Sequence, residues 1–249
     1  MNKGLFLSRQ GILAVADLHL GYEFDLLQSG LRIPSQTGEM KGRLLGLIDE
    51  LGPEELIILG DLKHNIPYVG DWEFEELERF ARDIPVRTTV IKGNHDVGLE
   101  AIIHADKVTF GRVRGEIRGK VGFFHGHTWP RAELLECRYL VMGHTHPAIV
   151  LRDSLGVETR LPCFIESPVI WPRLIERYPS KMDSYNEDLK VIILPSFNRL
   201  LGGTGFNVDT PLGPMAKNCL DIPGSTVILE DGTILGTIAD VGGAPKEEE

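Results

Sequence analysis

The chain has few cysteines, and their arrangement supports no cysteine-based site. There are 3 among 249 residues, Cys137, Cys163 and Cys219. An odd number of widely spaced cysteines, with no Cys-x-x-Cys pair, is typical neither of a disulfide framework nor of a thiolate zinc site. We therefore expect three reduced thiols.

Long apolar runs are also missing. No stretch approaches the ~18 apolar residues of a membrane-spanning helix, and residues 1–10 lack the apolar core and cleavage site of a signal peptide. We expect a cytoplasmic protein that does not engage a membrane. With 42% hydrophobic and 25% charged residues, the composition is that of an ordinary globular protein. We expect one domain over residues 1–243 and a solvated tail over residues 244–249.

Basic residues are outnumbered by acidic ones. The chain has 26 Lys and Arg against 36 Asp and Glu, a formal net charge of -10. Taken alone, this charge disfavours a nucleic-acid binder, because the phosphate backbone attracts basic surfaces. Bound divalent cations would make the net charge less negative, and they would add positive charge at the point where a phosphate must sit. The charge therefore does not exclude a nucleic-acid substrate.

What the sequence does contain is a set of short polar clusters, each directly after an apolar, strand-like run. The clusters are Asp17–His19, Gly60–His64, Gly93–Asp96, His125–His127 and Gly143–His146. The runs are Ile12–Ala16, Leu56–Leu59, Thr88–Ile91, Val121–Phe124 and Tyr139–Met142. In open α/β sheets, ligands bind beyond the carboxyl ends of the strands. Every histidine except His104 lies in these clusters, so the pattern predicts a metal site at one sheet edge.

The candidate donors are aspartate, asparagine and histidine, without thiolates. This mixture suits a reactive Mn, Fe or Zn site better than a structural zinc site. In Asp17-x-His19 and His144-x-His146 the paired side chains lie two positions apart, so extended backbone would point each pair at one ion. The donors are too many for one cation and suit two ions ~3.5–4 Å apart, which can hold a phosphate between them. Asp61 is the best candidate for a bridging carboxylate. Mn²⁺ is the favoured ion, with Fe, Zn, Ni and Co as alternatives.

His95 is predicted to have a different task. It follows Asn94 directly, so if Asn94 binds a metal, His95 projects elsewhere. A histidine beside two metals suits protonation of a leaving oxygen. Asp96 or His64 would orient it.

The first two thirds of the chain alternate strands with helices, which predicts parallel strands. One helix is expected from Pro34 to the Gly52-Pro53 stop, and a shorter one over Pro130–Leu135. Between them, Asp71 is a candidate cap of a helix. The apolar face of that helix would consist of Phe74, Leu77, Phe80 and Ala81.

The last third has a more antiparallel character. Asp153–Gly156 and Asp231-Gly232 each lie between two strand-like runs and predict hairpins. Val191–Leu194 is typical of a buried strand. Arg177–Asp188 and Leu200–Lys217 are rich in Gly, Pro, Ser and Asn, and we expect long loops there.

The clusters, in order, resemble the signature of the calcineurin-like metallophosphoesterases from Asp17 to His146. The resemblance implies an α/β fold, a four-layer α-β-β-α sandwich of two mixed sheets. It also implies that a hydroxide generated at two metals attacks phosphorus while His95 protonates the leaving oxygen. The first metal would be bound by Asp17, His19, Asp61 and His146, and the second by Asp61, Asn94, His125 and His144. His127 has no ligand position in that pattern.

One departure from the family pattern concerns His64. Many phosphatases of this superfamily carry Gly-Asp-x-x-Asp, whose last carboxylate orients the catalytic histidine. Gly60-Asp61-Leu62-Lys63-His64 instead resembles the SbcD-type nucleases. Together with Leu194–Asn198 and Gly202-Gly203, it is similar to the small SbcD-related archaeal phosphoesterases and the bacterial PdeM phosphoesterases. From the length of 249 residues, we expect no long capping domain of the kind that full SbcD nucleases carry.

Three functions remain open on this evidence. The first is a phosphodiesterase acting on DNA or RNA ends or single strands. The second is a phosphoesterase for small diesters, cyclic nucleotides or phosphomonoesters, and the third is a binding subunit without turnover. A homodimer is compatible with the sequence. Candidate phosphate contacts are Arg32, Lys63, Arg114, Arg131 and Arg199, with Trp129 as a candidate for base stacking.

Overall fold

The computed structural model describes residues 3–65, 71–181 and 184–242. The predicted tail over residues 244–249 lies outside the described residues. The side chain of Asp71, the candidate helix cap, is likewise outside what the structure describes.

The first sheet has five strands in the order of the chain. They are β1 (Leu5–Leu7), β2 (Ile12–Val15), β3 (Glu55–Ile58), β4 (Arg87–Ile91) and β5 (Val108–Gly111). β1 and β2 form an antiparallel pair, and β2 to β5 are parallel. The parallel members result from long crossover connections, which return the chain to the same end of the sheet.

The second sheet has nine strands and is also mixed. They are β6 (Glu116–Arg118), β7 (Val121–Phe123), β8 (Tyr139–Met142), β9 (Pro147–Arg152), β10 (Glu158–Pro168), β11 (Lys190–Ile193), β12 (Thr204–Gly205), β13 (Thr226–Leu229) and β14 (Ile234–Thr237). The order is β12-β9-β10-β11-β8-β7-β6, and the β13–β14 hairpin joins through β10. Both predicted hairpins, β9–β10 and β13–β14, are confirmed.

The α-helices of the described residues are α1 (Tyr22–Gln28), α2 (Thr37–Leu51), α3 (Asp71–Arg82), α4 (Trp171–Arg177), α5 (Pro214–Cys219) and α6 (Ile238–Val241). Helices α2 and α3 pack on the first sheet, and α4, α5 and α6 pack on the second. None of these helices in the described residues is long and apolar enough to span a membrane.

Alternation along the strands builds the layers. Leu13 and Val15 of β2 join the core cluster that contains residues of α2 and α3. Ile12 and Ala14 of the same strand join the layer between the sheets, where they meet Val141 of β8. A third core cluster combines the outer face of the second sheet with residues of α4 and α5. The expected α-β-β-α sandwich of two mixed sheets is therefore confirmed.

Several local expectations were wrong. α2 begins at Thr37, not at Pro34, and it ends as expected at Gly52, which adopts φ 58°. Phe74 is 41% exposed, whereas Leu77 and Phe80 are buried. The segment Pro130–Leu135 does not form an α-helix. A 3₁₀-helix over Ala132–Glu136 stands there, as is common for segments too short to propagate an α-helix.

The predicted loops also contain regular structure. Leu200–Lys217 includes β12 and most of α5, and Arg177–Asp188 includes a 3₁₀ turn at Pro179–Lys181. β12 pairs with β9, and α5 packs into the outer core of the second sheet. Both elements depend on tertiary contacts that composition cannot reveal.

Candidate metal centre

The polar clusters meet where β2, β3, β4, β7 and β8 end. Two groups of donor atoms, each within 4.8 Å of one another, lie there. One group is Asp17, His19 and His146, and the other is Asp61, His125 and His144. Asn94 adjoins the second group, because its Oδ1 lies 3.3 Å from Nε2 of His125. The structure thus brings together all seven residues predicted to bind metal.

Five of these residues share a rare backbone conformation. The residues with positive φ are Asp17 (55°), His19 (44°), Asp61 (49°), His144 (69°) and His146 (44°). This left-handed region is uncommon for residues other than glycine. The expectation that the two paired motifs lie in extended backbone was wrong. The chain leaves each strand in a sharp turn, and the amide of His19 donates to the carbonyl of Asp61 at 2.8 Å.

The first donor group has the spacing of ligands around one ion. Nε2 of His146 lies 3.4 Å from Oδ1 of Asp17, and Nε2 of His19 lies 3.4 Å from Oδ2 of Asp61. Two donors about 2.1 Å from one ion are roughly 3–3.5 Å apart. Both imidazole Nε2 atoms are buried and lack a hydrogen-bond partner among the described residues. A buried unpaired nitrogen is costly unless a ligand completes it, so this donor set fits a divalent cation.

The second donor group shares Asp61 with the first. Oδ2 of Asp61 lies 3.3 Å from Nε2 of His125, in addition to its 3.4 Å separation from Nε2 of His19. Nδ1 of His125 bonds to the carbonyl of Leu59 at 2.7 Å, which leaves Nε2 bare for a metal. The amide of His95 donates to the other oxygen of Asp61 at 2.9 Å. One carboxylate oxygen is therefore held still while the other faces both groups, as a bridge requires.

Two glycines allow this close approach. A Cβ at Gly93 would lie 2.0 Å from Oδ1 of Asp61, and one at Gly60 would lie 2.4 Å from Nδ1 of His125. Both distances are far shorter than real carbon contacts. Any larger residue at either position would displace a donor.

Charge and burial set the protonation of the donors in opposite directions. Burial lowers the pKa of His19 to about 3 and that of His144 to about 4. Burial acts the same way on His125, but the carboxylates of Asp61 and Asp17 outweigh it and raise its pKa to about 9. Burial also opposes the charge of His146, but the carboxylate of Asp17 outweighs it and raises the pKa of His146. In the protein without metal, the His125 imidazolium therefore helps to balance two buried carboxylates. A divalent cation would replace that proton.

His95 lies beside the metal donors and is held by the backbone. Its Nδ1 bonds to the carbonyl of His64, and its ring stacks on the ring of His64 with centroids 5.3 Å apart. His64 and His95 also form a cluster with His19 whose nitrogens lie within 4.8 Å of one another. The carbonyl of His64 thus holds Nδ1 of His95, and the ring of His64 adds a stacking contact.

Asp96 contacts backbone amides instead of His95. Its carboxylate accepts from the amides of Leu62 at 2.9 Å and Gly93 at 2.8 Å. Burial raises the pKa of this carboxyl, although the amide donors oppose the shift. Asp96 therefore ties the turn after β3 to the turn after β4. Its predicted catalytic role has no direct contact to support it.

Sequence reasoning missed two residues that hold the first donor loop from below. The hydroxyl of Ser196 donates to the carbonyl of Asp17 at 2.8 Å, and Nδ2 of Asn198 donates to the carbonyl of Leu18 at 3.0 Å. Both side chains are buried. Both residues belong to the motif Leu194–Asn198, which the sequence analysis interpreted only as a subfamily resemblance.

His127 lies outside both donor groups. Its ring is 5.1 Å from that of His125 and 6.1 Å from that of His144. Burial lowers the pKa of His127 to about 4. It is a neutral neighbour of the second group.

Most candidate phosphate contacts are already engaged. Lys63 is buried and donates to the carbonyl of Asn65. Arg199 pairs with Glu39 at 3.3 Å. Arg131 lies 4.0 Å from Glu133, Arg114 donates to the carbonyls of Trp129 and Pro130, and Arg32 is exposed. Trp129 packs against the outer core under the guanidinium of Arg177, 5.5 Å from the ring centroid.

No curated protein sequence matches the chain significantly. A nuclease, MPE, from Pseudomonas putida has a similar structure, with a TM-score of 0.60 and 23% identity over 93% of this chain and 90% of that one. A phosphoesterase, Yfce, from E. coli is more distant, with a TM-score of 0.42 and 17% identity over 90% of this chain and 96% of that one.

A family model covers more than half of the chain. The model for calcineurin-like phosphoesterases matches residues 11–144, the segment that carries four of the five polar clusters and the start of the fifth. The structure places two groups of metal donors within and just after this segment. The chain belongs to the calcineurin-like phosphoesterase family and is a metal-dependent phosphoester hydrolase.

Proposed function

We propose that this enzyme is a small SbcD-related phosphodiesterase that cleaves nucleic acid with two Mn²⁺ ions. The observation that carries the proposal is the pair His64 and His95, stacked beside a complete set of donors for two metals. In this arrangement an imidazole occupies the place where many phosphatases of the superfamily have a carboxylate.

The metal donors divide as the resemblance implies. Asp17, His19 and His146 would hold the first ion, and Asn94, His125 and His144 the second, with Asp61 shared. Two bound divalent ions activate water and neutralise the charge of the phosphate. Oxygen and imidazole donors without sulfur suit Mn²⁺, Fe or Zn at a reactive site, and of these we propose Mn²⁺.

His95 would supply the proton to the leaving oxygen. The carbonyl of His64 can only accept, so Nδ1 of His95 must donate to it. The other nitrogen, Nε2, is then the one that can carry a transferable proton. A nucleic-acid leaving group needs this proton, because an alkoxide is a poor leaving group.

His64 favours a diester over a monoester. A phosphodiester carries one negative charge and keeps a second, non-leaving ester group that the site must accommodate. A ring at this position offers a surface without adding the negative charge of a carboxylate. The structurally similar Pseudomonas putida protein is a nuclease, which is compatible with this assignment.

A second candidate is hydrolysis of small diesters or cyclic nucleotides. It is favoured by the net charge of -10 and by the partners of the basic residues: Lys63 is buried, and Arg199 faces Glu39. A long polyanion usually requires a basic track. The complete donor set argues against a binding subunit without turnover.

A substrate panel tests the proposal. The Mn²⁺-loaded protein should cleave short single-stranded DNA or RNA and bis-nitrophenyl phosphate, and should leave nitrophenyl phosphate intact. Preferential cleavage of cyclic nucleotides or of the monoester would overturn the nuclease assignment. A His95→Ala preparation, treated identically, controls for contaminating nucleases.

A further inference from the structure

Three hydrogen-bonded side chains connect a predicted metal ligand, His19, with the surface. Nδ1 of His19 lies 3.1 Å from Nδ1 of His64, and Nε2 of His64 lies 2.8 Å from Oδ2 of Asp25. The side chain of His19 is 5% exposed, that of His64 is 13% exposed, and that of Asp25 is 50% exposed. Asp25 lies on α1, outside every motif that the sequence suggested.

The carboxylate end determines where each proton must be. An ionised carboxylate only accepts, so Nε2 of His64 carries the proton of that bond. Nδ1 of a neutral His64 is then bare and can only accept. The shared bond therefore requires the proton on Nδ1 of His19. Nε2 of His19, which is buried and has no hydrogen-bond partner in the part of the chain that the structure describes, is left bare and lies 3.4 Å from Oδ2 of Asp61.

We propose that Asp25 is a positioning residue that acts through His64 to fix the tautomer and the ring orientation of His19 as a metal ligand. The proposal rests on the proposed role of His19 at the first metal. Without the acceptor at Asp25, either ring nitrogen of His64 can carry the proton. Nothing then holds the proton of His19 on Nδ1, so Nε2 of His19 is no longer kept free for the metal. Residues that fix a metal-binding histidine in this way are typically worth roughly 10- to 100-fold in metal affinity.

The local fold keeps the three groups in register. Gly21 adopts φ 91°, and the amide of Tyr22 donates to the carbonyl of His19 at 3.1 Å, so α1 begins directly after the ligand loop. The ring of Tyr22 packs edge-on against His64 at 4.9 Å. Asp25 follows on the same helix, within reach of His64. The short connection thus places the carboxylate of Asp25 where it accepts from Nε2 of His64.

A double-mutant cycle of Mn²⁺ affinity tests the pathway. We expect Asp25→Ala and His64→Ala each to weaken the first Mn²⁺ equivalent roughly 10- to 100-fold, and the double variant to be no worse than His64→Ala alone. Two effects that multiply would overturn the proposal, because Asp25 would then act by long-range charge and not through His64. An unchanged affinity in Asp25→Ala would also overturn it. Gln28→Ala, an exposed change on the same helix, should leave Mn²⁺ binding unaffected.

The tautomer of His19 provides a second measurement, which would not change if Asp25 had only a structural role. Nitrogen-15 spectra of the metal-free and Zn²⁺-loaded protein should show His19 protonated at Nδ1 in the wild type. Asp25→Ala should give a mixture of both tautomers in the metal-free protein. The same single tautomer in wild type and variant would overturn the proposal even if affinity changed.

The positioning role of Asp25, here called the relay (Asp25, His64 and His19), and the assignment of His19 as a metal ligand can fail separately, and the two failures give different results. If His19 is a ligand, His19→Ala loses about one Mn²⁺ equivalent while the wild type binds two. If His19→Ala retains both equivalents, the proposed metal site itself is wrong. If His19→Ala loses one equivalent and Asp25→Ala behaves as wild type, only the relay is wrong.

Discussion

At the scale of single residues, the metal centre depends on backbone angles that its own side chains disfavour. Five predicted ligands have φ between 44° and 69°. A non-glycine residue in this region costs roughly 1–3 kcal/mol, and such strain persists where the surroundings enforce it. The enforcing contacts are backbone hydrogen bonds across the sheet edge, such as the amide of Asp17 donating to the carbonyl of Gly60 at 3.2 Å. Glycine would relieve the strain but would remove the donor.

Asp61→Ala should be the most damaging change among the ligands. Oδ2 of Asp61 lies within 3.4 Å of Nε2 of His19 and within 3.3 Å of Nε2 of His125, so its removal affects both metals. Two cations would also repel each other without the shared carboxylate. Elemental analysis should find well under two Mn²⁺ per chain, with no measurable diesterase activity. Wild-type turnover at moderate Mn²⁺ would show that the bridge is misassigned.

His95→Ala should keep both metals and lose rate. A positioned proton donor is worth roughly 10²–10⁴-fold, and the loss should shrink for a nitrophenyl diester, whose leaving group needs little protonation. Metal content and paired assays on activated and unactivated diesters measure both effects.

The matched controls for this change are two other histidine variants. His144→Ala should lose metal, and His104→Ala, outside every cluster, should behave as wild type. Loss of metal in His95→Ala, with equal losses on both substrates, would identify His95 as a ligand.

At the scale of elements, the segment after β11 supports the loop after β2. Ser196 and Asn198 donate to three successive carbonyls, those of Asp17, Leu18 and His19. β11 belongs to the second sheet and β2 to the first. One sheet therefore positions ligands that the other sheet carries.

Asn198→Ala should weaken metal binding more than its effect on stability would suggest. Loss of its donors leaves buried carbonyls unpaired, which costs roughly 1–3 kcal/mol, and frees the loop that carries Asp17 and His19. We expect the affinity for the first Mn²⁺ to fall about 10-fold. Asn207→Ala is the matched control, because Asn207 is equally buried and bonds to Val150 instead of a ligand loop. Similar losses of affinity in both variants would mean that the effect is general destabilisation.

The sequence anticipates elements whose signal is local. Strand-like runs ending in Asp, Asn or His predicted the strands that carry the ligands, and Asp153–Gly156 predicted a hairpin. It did not anticipate features that arise only from packing. Asp25 is 39 positions from His64, and no spacing rule links them. α5 and Phe74 were missed for the same reason, because tertiary contacts decide them.

At the scale of the whole molecule, the metal-free protein should become less stable as pH rises. The folded pKa of His125 is raised to about 9 by Asp61 and Asp17, against burial, while the unfolded value is about 6.5. The stabilisation is thus complete below pH 6.5 and is lost as pH rises through about 9, amounting to at most about 3 kcal/mol. Urea unfolding at pH 6.5, 7.5 and 8.5 in the presence of a chelator measures the slope.

Two comparisons complete this test. His125→Gln should reduce the slope, because glutamine does not titrate, and the remaining slope belongs to His146, whose pKa Asp17 raises against burial. Mn²⁺ should reverse it, since the metal takes the place of the proton and binds more tightly as pH rises. A metal-free protein that gains stability over this range would contradict the assignment.

The order in which the chain is synthesised gives the shared site a further consequence. Asp17 and His146 are 129 positions apart, and the supporting Ser196 and Asn198 come about 50 positions later still. When only the first sheet has been synthesised, the nascent chain contains the predicted ligands Asp17, His19, Asp61 and Asn94. The imidazoles of the second sheet, those of His125, His144 and His146, are still missing. Such a partial set holds a divalent ion weakly, so secure capture must await both sheets and their docking. We therefore expect tight metal uptake only after both sheets have formed and docked.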